Sequence, residues 1–512
     1  MRIKKIEINN YKAFYKKHTI DVDGKNLFIY GENGSGKSSL YYALKDFFQS
    51  SRETIDFNEL ENIFLTKTEQ GKGYIKVTFN PDKDGNAVDK TYEFGAKVKD
   101  TYSAADTSIR DAIGLKSFLT YKHLLGIHNI KKGNQIDLFE LLVKGVLKHF
   151  KSAAITGAKE LGELWQDVED VCKKEVGSVR GFNAAQKKKD LESALKIFND
   201  AFRELFKERS PEYILTVAQP ILDEFNHNIK IKLNYTEAKP NTDYSGVINN
   251  HVRIKLKYID KDILEPHLFL NEARLSAIAI SIYLGMVLRH PQLVIKSKVL
   301  FLDDIFIGLD IANRLPLMEI LKKHFISTTA TKNYQIIITT YDKPWYEFMK
   351  FYLNDDTKWK TIELYSRRAR KGFEVPIIKP QAGASFIQNL IDTAEDYFNN
   401  ADNKAAGVYL RAAFEFMLKK YCEDKKIPVK YLVDSSKLSS DDFWLAVAKF
   451  KLDNIARPGR CNLTNGTETN IEHYRKLVLN PLSHHDVNKH EITSEINAAI
   501  ATIKTLKTEL GV

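Results

Sequence analysis

The chain has 512 residues, of which 43% are hydrophobic and 28% charged, a composition that excludes a disordered or fibrous protein. At roughly 150 residues per domain, this length predicts two or three domains. The net charge of +11 permits a nucleic-acid-facing surface without requiring one, because lysine-rich solvated faces are common.

The first quarter of the chain has the alternation of β-strands. Apolar and charged residues alternate from Ile3 to Ile8, and a short apolar strand at Leu27–Tyr30 runs into a Gly-rich turn and then a helix. Two more strand-like runs follow at 74–79 and 91–94. These features predict the start of an α/β domain.

From residue 135 to 228 the apolar spacing becomes helical. Strand-like runs return at 229–235 and 252–258, and a long helix follows residue 267. Buried strands are predicted at 299–302 and 335–339. The segment 376–384, with two prolines and a glycine, is predicted to be a linker, and the rest of the chain has a helical pattern without a strand signal.

The segment Gly31-Glu-Asn-Gly-Ser-Gly-Lys37-Ser38 matches the eight-position phosphate-loop pattern, after a strand and at the start of a helix. Glycines let consecutive backbone N–H groups converge on phosphates, Lys37 reaches the outer phosphates, and the Ser38 hydroxyl can ligate Mg²⁺. The segment is therefore a predicted nucleotide-binding site. Its predicted binding residues are Gly31, Asn33, Gly34, Ser35, Gly36, Lys37, Ser38 and Ser39.

A pair of acids ends the buried strand 299–302. We expect Asp303 to hold Mg²⁺ through water, alongside Ser38, and Asp304 to polarise the water that attacks the terminal phosphate. The structural alternative is that the two acids cap the helix that follows.

Taken in order, these motifs resemble those of an ATP-binding-cassette (ABC) ATPase of the RecF/SMC-like branch. In that branch the signature segment lies long after the phosphate loop and just before the acidic strand, which is where Leu270–Arg274 opens a helix. The resemblance implies ATP and Mg²⁺ as cofactors and two heads that sandwich two ATP molecules. The residues it assigns to the signature, acting in trans, are Asn271, Glu272 and Arg274, and the residue it assigns to the D-loop is Asp310.

The chain departs from the family pattern at its catalytic positions. Asn271 replaces the signature serine, Asp304 replaces the usual catalytic glutamate, and Tyr341 stands at the switch-histidine position. No glutamine is clearly placed for the Q-loop, for which Gln135 and residues 121–123 are weak candidates. With Asp304 and Tyr341 as its catalytic residues, the site is predicted to hydrolyse ATP slowly.

The helical insertion is short. An antiparallel helix pair made from its roughly 90 residues reaches only about 60 Å, which is too short for a DNA-tethering arm and suits oligomer contacts better. The insertion carries a basic run, Gln186–Lys189. A solvated helix face is the commoner interpretation of such a run, and direct nucleic-acid contact is the alternative.

The C-terminal residues carry a second resemblance. The helical segments between Asp392 and Leu418 resemble the first helix pair of a HEPN-type bundle, and many HEPN domains are ribonucleases with a closely spaced Arg and His. Here Arg475 and His484 are nine positions apart, and Leu479 stands where the motif requires arginine. Two interpretations stay open: an RNA-cleaving site formed by His484 and His485 with Arg475 or Arg411, and a docking or oligomerisation module.

The predicted fold class is an α/β ABC-type phosphate-loop ATPase head with a short helical insertion, followed by an all-α HEPN-like bundle. The predicted domains are an N-lobe at 1–134, the insertion at 135–228, a C-lobe at 229–375 and the helical domain at 385–512. Its three cysteines are widely spaced and fit neither a disulfide framework nor a zinc site. Because neither a membrane-spanning apolar run nor a signal peptide is found, we expect a cytoplasmic protein without a membrane partner.

A compact RecF/SMC-like head joined to a small helical domain resembles the sensor ATPases of bacterial antiphage systems, such as the AriA-type ATPase of PARIS and the PtuA-type ATPase of Septu and some retron systems. The resemblance implies a homo-oligomer that holds a separate effector nuclease, of Toprim or HNH type, until a phage-encoded trigger is sensed. Two alternatives stay open: a self-contained ATPase–HEPN ribonuclease toxin, and a RecF-like DNA repair ATPase that binds nucleic acid directly.

Overall fold

The computed structural model describes two compact units of the chain, Met1–Lys379 and Pro380–Val512. The description covers all residues except 81–87, 122–136, 154–158, 177–182, 291–294, 327–332, 354–356, 369–371, 381–383, 400–401, 431–437, 458 and 480–492.

The first unit contains both strands and helices. Its strands are β1 (Ile3–Tyr11), β2 (Phe14–Asp21), β3 (Asn26–Gly31), β4 (Tyr74–Phe79), β5 (Lys90–Gly95), β6 (Phe118–Thr120), β7 (Ile229–Thr236), β8 (Lys239–Pro240), β9 (Val247–Ile248), β10 (His251–Tyr258), β11 (Lys261–Ile263), β12 (Val299–Asp303), β13 (Gln335–Thr340), β14 (Trp359–Arg368) and β15 (Glu374–Pro380). Its helices are α1 (Lys37–Ser50), α2 (Ser108–Gly114), α3 (Leu161–Lys173), α4 (Ala184–Arg203), α5 (Leu215–Asp223), α6 (Pro266–Phe269), α7 (Glu272–Arg289), α8 (Ile311–His324) and α9 (Lys343–Tyr352).

A six-stranded sheet of order β15-β14-β3-β13-β12-β6 forms the centre of this unit. The pairs from β14 through to β6 are parallel. Along β3 successive residues face opposite sides, so Leu27 and Ile29 pack in the core that contains α1, and Phe28 and Tyr30 pack in the core that contains α7. Burial on both faces explains why β12 and β13 are continuous apolar runs in the sequence.

Antiparallel sheets flank the central one. The N-terminal sheet has the order β2-β1-β4-β5, and Ile3, Ile6 and Ile8 of β1 are all buried. A second antiparallel sheet has the order β11-β10-β7. The mixed α/β architecture predicted from the sequence is confirmed for this unit.

The helices between β6 and β7 pack into the body of the first unit. Trp165 of α3 and Phe198 of α4 belong to the same buried core as the central sheet. Helix α5 lies directly on α7, because a Cβ added at Gly285 would come within 2.7 Å of the Ala218 Cβ. The longest of these helices has 20 residues and spans about 30 Å.

The predicted linker at 376–384 is only partly a linker. Residues Glu374–Pro380 form β15, which lies at the edge of the central sheet, and a helix begins at Ala384. Prolines in a sequence predict a linker, but an edge strand tolerates them because one side of its backbone needs no ladder hydrogen bonds.

In its described part after Pro380, the second unit consists of helices and the loops that connect them. Its helices are α10 (Ala384–Asn399), α11 (Asn403–Lys425), α12 (Ser440–Asp453), α13 (Asn465–Tyr474) and α14 (Thr493–Leu510). A separate apolar core, which includes Leu410, Phe414, Trp444 and Ile500, holds them together. None of the described helices of either unit combines the length and the apolar character needed to cross a bilayer.

Candidate functional site

The phosphate loop connects the end of β3 to the start of α1. Gly34 and Gly36 have φ of 84° and 96°, a left-handed conformation that glycine adopts without steric strain. Position 36 also has no room for a side chain, since a Cβ there would lie 2.7 Å from Cγ of Pro376. The edge strand β15 therefore supports the loop from behind, and α1 directs its N-terminal N–H groups towards the same space.

The Lys37 side chain is buried at the centre of the site, with only 4% of the residue exposed. Its Nζ donates to the backbone oxygens of Gly31 at 2.6 Å and Glu32 at 3.2 Å. It also lies 3.6 Å from Oδ2 of Asp304. All three ammonium donors are thus directed to oxygen atoms, and a phosphate that takes one of them must displace a partner.

Asp303 is held between two hydroxyl groups. Ser38 Oγ donates to its Oδ2 at 3.4 Å, and Thr339 Oγ1 donates to its Oδ1 at 2.7 Å. The same Thr339 hydroxyl accepts from the backbone N–H of Asp304 at 2.9 Å. Neighbouring ligands of an octahedral Mg²⁺ lie about 3 Å apart, so the oxygens of Ser38 and Asp303 fit the edge of such a site.

Asp304 stands in an unusual environment. Its backbone is left-handed, with φ of 51°, a conformation that Asp and Asn tolerate better than other side chains. The carboxylate is 13% exposed, and burial raises its pKa to about 6, with the neighbouring Asp303 adding to the rise and Lys37 opposing it. Within the described residues, Asp304 Oδ1 and Ser35 Oγ are buried without a hydrogen-bond partner. Such groups fit a site whose remaining partners are a phosphate and an attacking water.

The predicted switch position contacts Asp304 through its backbone. The N–H of Tyr341 hydrogen-bonds the Asp304 carboxylate and lowers its pKa, whereas the residue is 44% exposed. The next residue, Asp342, pairs with Arg314 of α8 at 2.6 Å and accepts from the backbone N–H of Trp345 at 3.0 Å. The structure therefore connects the end of β13 to helices α8 and α9.

Asp310, the predicted D-loop residue, forms a helix cap. Its side chain caps α8 by accepting from the backbone N–H of Asn313 at 3.1 Å. A capping role and a role across an interface are compatible, because Asp310 is exposed.

The residues predicted to form the signature lie at the start of α7. Asn271 caps this helix by accepting from the backbone N–H of Arg274 at 3.0 Å, and the Arg274 guanidinium lies 5.4 Å above the ring of Tyr258. Asn271 and Glu272 are exposed.

The remaining predicted residues are distributed as follows. Ser39 Oγ accepts from the backbone N–H of Ala13 at 3.4 Å, and Asn33 is exposed. In the basic run, Lys187 is buried and donates to the backbone oxygens of Cys172 and Lys174 at 3.0 and 2.7 Å, so it closes the end of α3 and does not face solvent. The Q-loop candidates Gln135 and 122–123 lie outside the described residues.

Of the candidate ribonuclease pair Arg475 and His484, the structure describes only Arg475. Arg475 is 9% exposed and pairs with Asp441 and with Glu472, the latter at 2.8 Å. Its guanidinium lies 5.9 Å from the ring centroid of Trp444. These contacts indicate a packing role for Arg475, and His484 lies outside the described residues, so RNA cleavage stays a prediction.

Two contributors to the site were not singled out from the sequence. Thr339 hydrogen-bonds both Asp303 and Asp304. The sequence feature that could have identified it is its position at the end of the buried strand that follows the acidic strand. Pro376 supports Gly36, and nothing in the local sequence indicated that β15 returns to the phosphate loop.

The chain matches a known protein family. The family described as the RecF/RecN/SMC N terminal domain matches residues 2–356. No curated protein matches the chain. Among solved structures, an Smc head bound to the C-winged helix domain of ScpA is 13% identical, with a TM-score of 0.40, over 74% of this chain and 98% of that one. An Smc head domain with an extended coiled coil, bound to the C-terminal domain of ScpA from Pyrococcus furiosus, is 17% identical, with a TM-score of 0.41, over 76% and 99%.

Proposed function

The chain belongs to the RecF/RecN/SMC N terminal domain family, and from this premise we propose that it is an ABC-type ATPase that binds ATP with Mg²⁺ and hydrolyses it slowly. The observation that carries the proposal is the convergence of Lys37, Ser38, Asp303 and Asp304 on one space at the N-terminus of α1. These residues are far apart in the sequence, and their proximity in the fold supports the proposed roles of Lys37 in binding phosphate, of Ser38 and Asp303 in binding Mg²⁺, and of Asp304 as general base.

The residues divide the chemistry between them. Lys37 and the N–H groups of the loop bind the β- and γ-phosphates, and Ser38 and Asp303 hold Mg²⁺, which when bound neutralises phosphate charge. Asp304 accepts a proton from the attacking water, for which a pKa of about 6 is well matched near neutral pH.

Two features of Asp304 support slow hydrolysis. Its carboxylate is one methylene shorter than glutamate, so it holds the water less closely. It also lies 3.6 Å from Lys37, and this contact competes with the phosphate for the lysine. Slow hydrolysis suits a switch whose ATP-bound state persists.

A binding experiment tests the proposal. We expect the wild type to bind a fluorescent ATP analogue in the presence of Mg²⁺, Lys37→Ala to lose binding, and Ser38→Ala to lose most of the dependence on Mg²⁺. Asp304→Asn keeps the shape and the left-handed backbone but removes the base, so it is expected to bind ATP at least as tightly and to lose hydrolysis. ATP binding that is unchanged in Lys37→Ala would contradict the proposal.

We also propose that ATP drives association of two copies, in which Asn271 at the start of α7 reaches the nucleotide of the other copy. Support comes from the exposure of Asn271 and Glu272 and from the absence of contacts between them and their own phosphate loop within the described chain.

For the biological role, we propose a sensor ATPase of an antiphage system that multimerises and restrains a separate effector nuclease. The compact packing of α3–α5, which leaves no long arm in the described residues, and the additional helical unit support this role over a DNA-tethering one. The test is the mass of the native assembly after co-expression with the neighbouring open reading frames. We expect a multimer that carries a nuclease polypeptide. A homomultimer without a second polypeptide would contradict the sensor proposal and favour the ribonuclease alternative.

A further inference from the structure

A basic cavity lies beside the second half of α1. It has a volume of about 200 Å³ and is lined by Lys45 and Gln49 of α1, by Lys116 after α2, and by Lys144. Lys45 follows Lys37 by eight residues, which places it about 12 Å further along the helix axis. The cavity is therefore separate from the phosphate loop, although both touch the same helix.

The three lysines differ in their counter-charges. None of the described residues that line the cavity is acidic. Lys144, half exposed at the mouth, pairs with Glu140 at 3.1 Å and with Glu169 at 2.9 Å. In the part of the chain that the structure describes, neither Lys45 nor Lys116 forms an ion pair.

Lys116 shows most clearly how burial beside other cations disfavours the charged form of a lysine. Burial lowers its pKa to about 8, and repulsion from Lys148, Lys45 and Arg52 outweighs the attraction of Glu53, the one acid that opposes the shift. Its backbone is fixed in a left-handed conformation, with φ of 49°, and its carbonyl accepts a hydrogen bond from the Tyr283 hydroxyl. An ammonium group that is desolvated without a partner destabilises the protein, and an anion beside it would remove that penalty.

The remaining walls are apolar and include Ile113, Phe118, Leu141 and Val146. The cavity volume of about 200 Å³ leaves room for a phosphate group with a short organic part. Three separate ammonium groups suit a tetrahedral dianion better than a planar carboxylate, because lysine binds phosphate as a point charge from several directions.

We propose that this cavity is a binding site for a small phosphate monoester, whose phosphate is held by Lys45, Lys116 and Lys144 and whose organic part lies against Phe118 and Val146. The site is independent of the ATP site and goes beyond the proposed function. Because Lys45 and Gln49 belong to α1, a ligand here contacts the helix that presents Lys37 to ATP.

Amine labelling tests the site directly. The full-length Lys37→Ala variant, in which the phosphate loop is disabled, is treated briefly with acetic anhydride at pH 8, with and without inorganic phosphate or glycerol 3-phosphate, and the modified lysines are quantified by mass spectrometry. We expect both anions to slow labelling of Lys45 and Lys116 at least five-fold and to leave the exposed Lys255 unchanged. Equal labelling of Lys116 with and without the anions would overturn the proposal.

Calorimetric titration of the same anions gives a second test. Lys45→Ala and Lys116→Asn, each made in the Lys37→Ala background, are expected to weaken binding at least ten-fold, and asparagine suits the left-handed backbone at position 116. Lys255→Ala is the matched control. Binding that survives both cavity substitutions, or an anion that binds only when Lys37 is present, would assign the phosphate to another site.

Discussion

The buried carboxylate of Asp304 makes a quantitative prediction about stability. Its pKa is raised from the ordinary 3.8 to about 6, so the folded state retains a proton that the unfolded state has released between these two values. A rise in pKa from 3.8 to about 6, at about 1.36 kcal/mol per pH unit, gives about 3 kcal/mol of destabilisation. The penalty is absent below pH 3.8, grows as the pH rises to 6, and is complete above it.

Asp304→Asn removes this penalty and keeps the side-chain shape and the left-handed backbone. We therefore expect the variant to be more stable than the wild type by about 3 kcal/mol at pH 7 and by little at pH 4. Urea unfolding read by pulse proteolysis at pH values from 4 to 8, in the absence of nucleotide, measures the difference. Asp262→Asn, at an exposed side chain, controls for the effect of the amide itself. A difference that does not depend on pH, or a wild type that is the more stable at pH 8, would refute the electrostatic reasoning.

Three further predictions concern other parts of the molecule. Thr339→Val should cost about 1–3 kcal/mol and lower the rate of ATP hydrolysis, because Asp303 loses a hydrogen bond, whereas Thr339→Ser should retain both properties in urea unfolding and phosphate-release assays. Asn271→Ala should lose about 1 kcal/mol of helix capping and weaken ATP-dependent association in sedimentation experiments, whereas Asn271→Ser should keep the cap. If both variants self-associate as strongly as the wild type does, Asn271 is not part of the interface. Arg475→Met should destabilise the second unit by about 1–3 kcal/mol in calorimetry and leave ATP binding unchanged; a stable variant would contradict a packing role.

The sequence signals for the predicted ATP site are local. The turn at Gly34–Lys37 requires left-handed glycines, and the strand that ends at Asp303 is buried on both faces and therefore apolar throughout. Each requirement produces a pattern of consecutive residues that can be recognised in the sequence. The family match, over residues 2–356, confirms the ATPase family.

Features that depend on contacts between distant residues could not be predicted from local sequence patterns. The contact between Pro376 and the loop joins residues 340 positions apart, and the raised pKa of Asp304 comes from burial that only the fold creates. Lys187 illustrates the same limit, because a basic run that reads as solvated contains a buried lysine that closes a neighbouring helix.

The central claim is that ATP binding at Lys37 controls association of two heads. Native mass spectrometry of the Asp304→Asn variant, with and without ATP and Mg²⁺, tests it most directly, with Lys37→Ala as the control. We predict a dimer or larger assembly that contains one ATP per chain, formed only with nucleotide and absent in Lys37→Ala. A chain that binds ATP and remains a monomer, or an assembly of the same mass with and without nucleotide, would contradict the account.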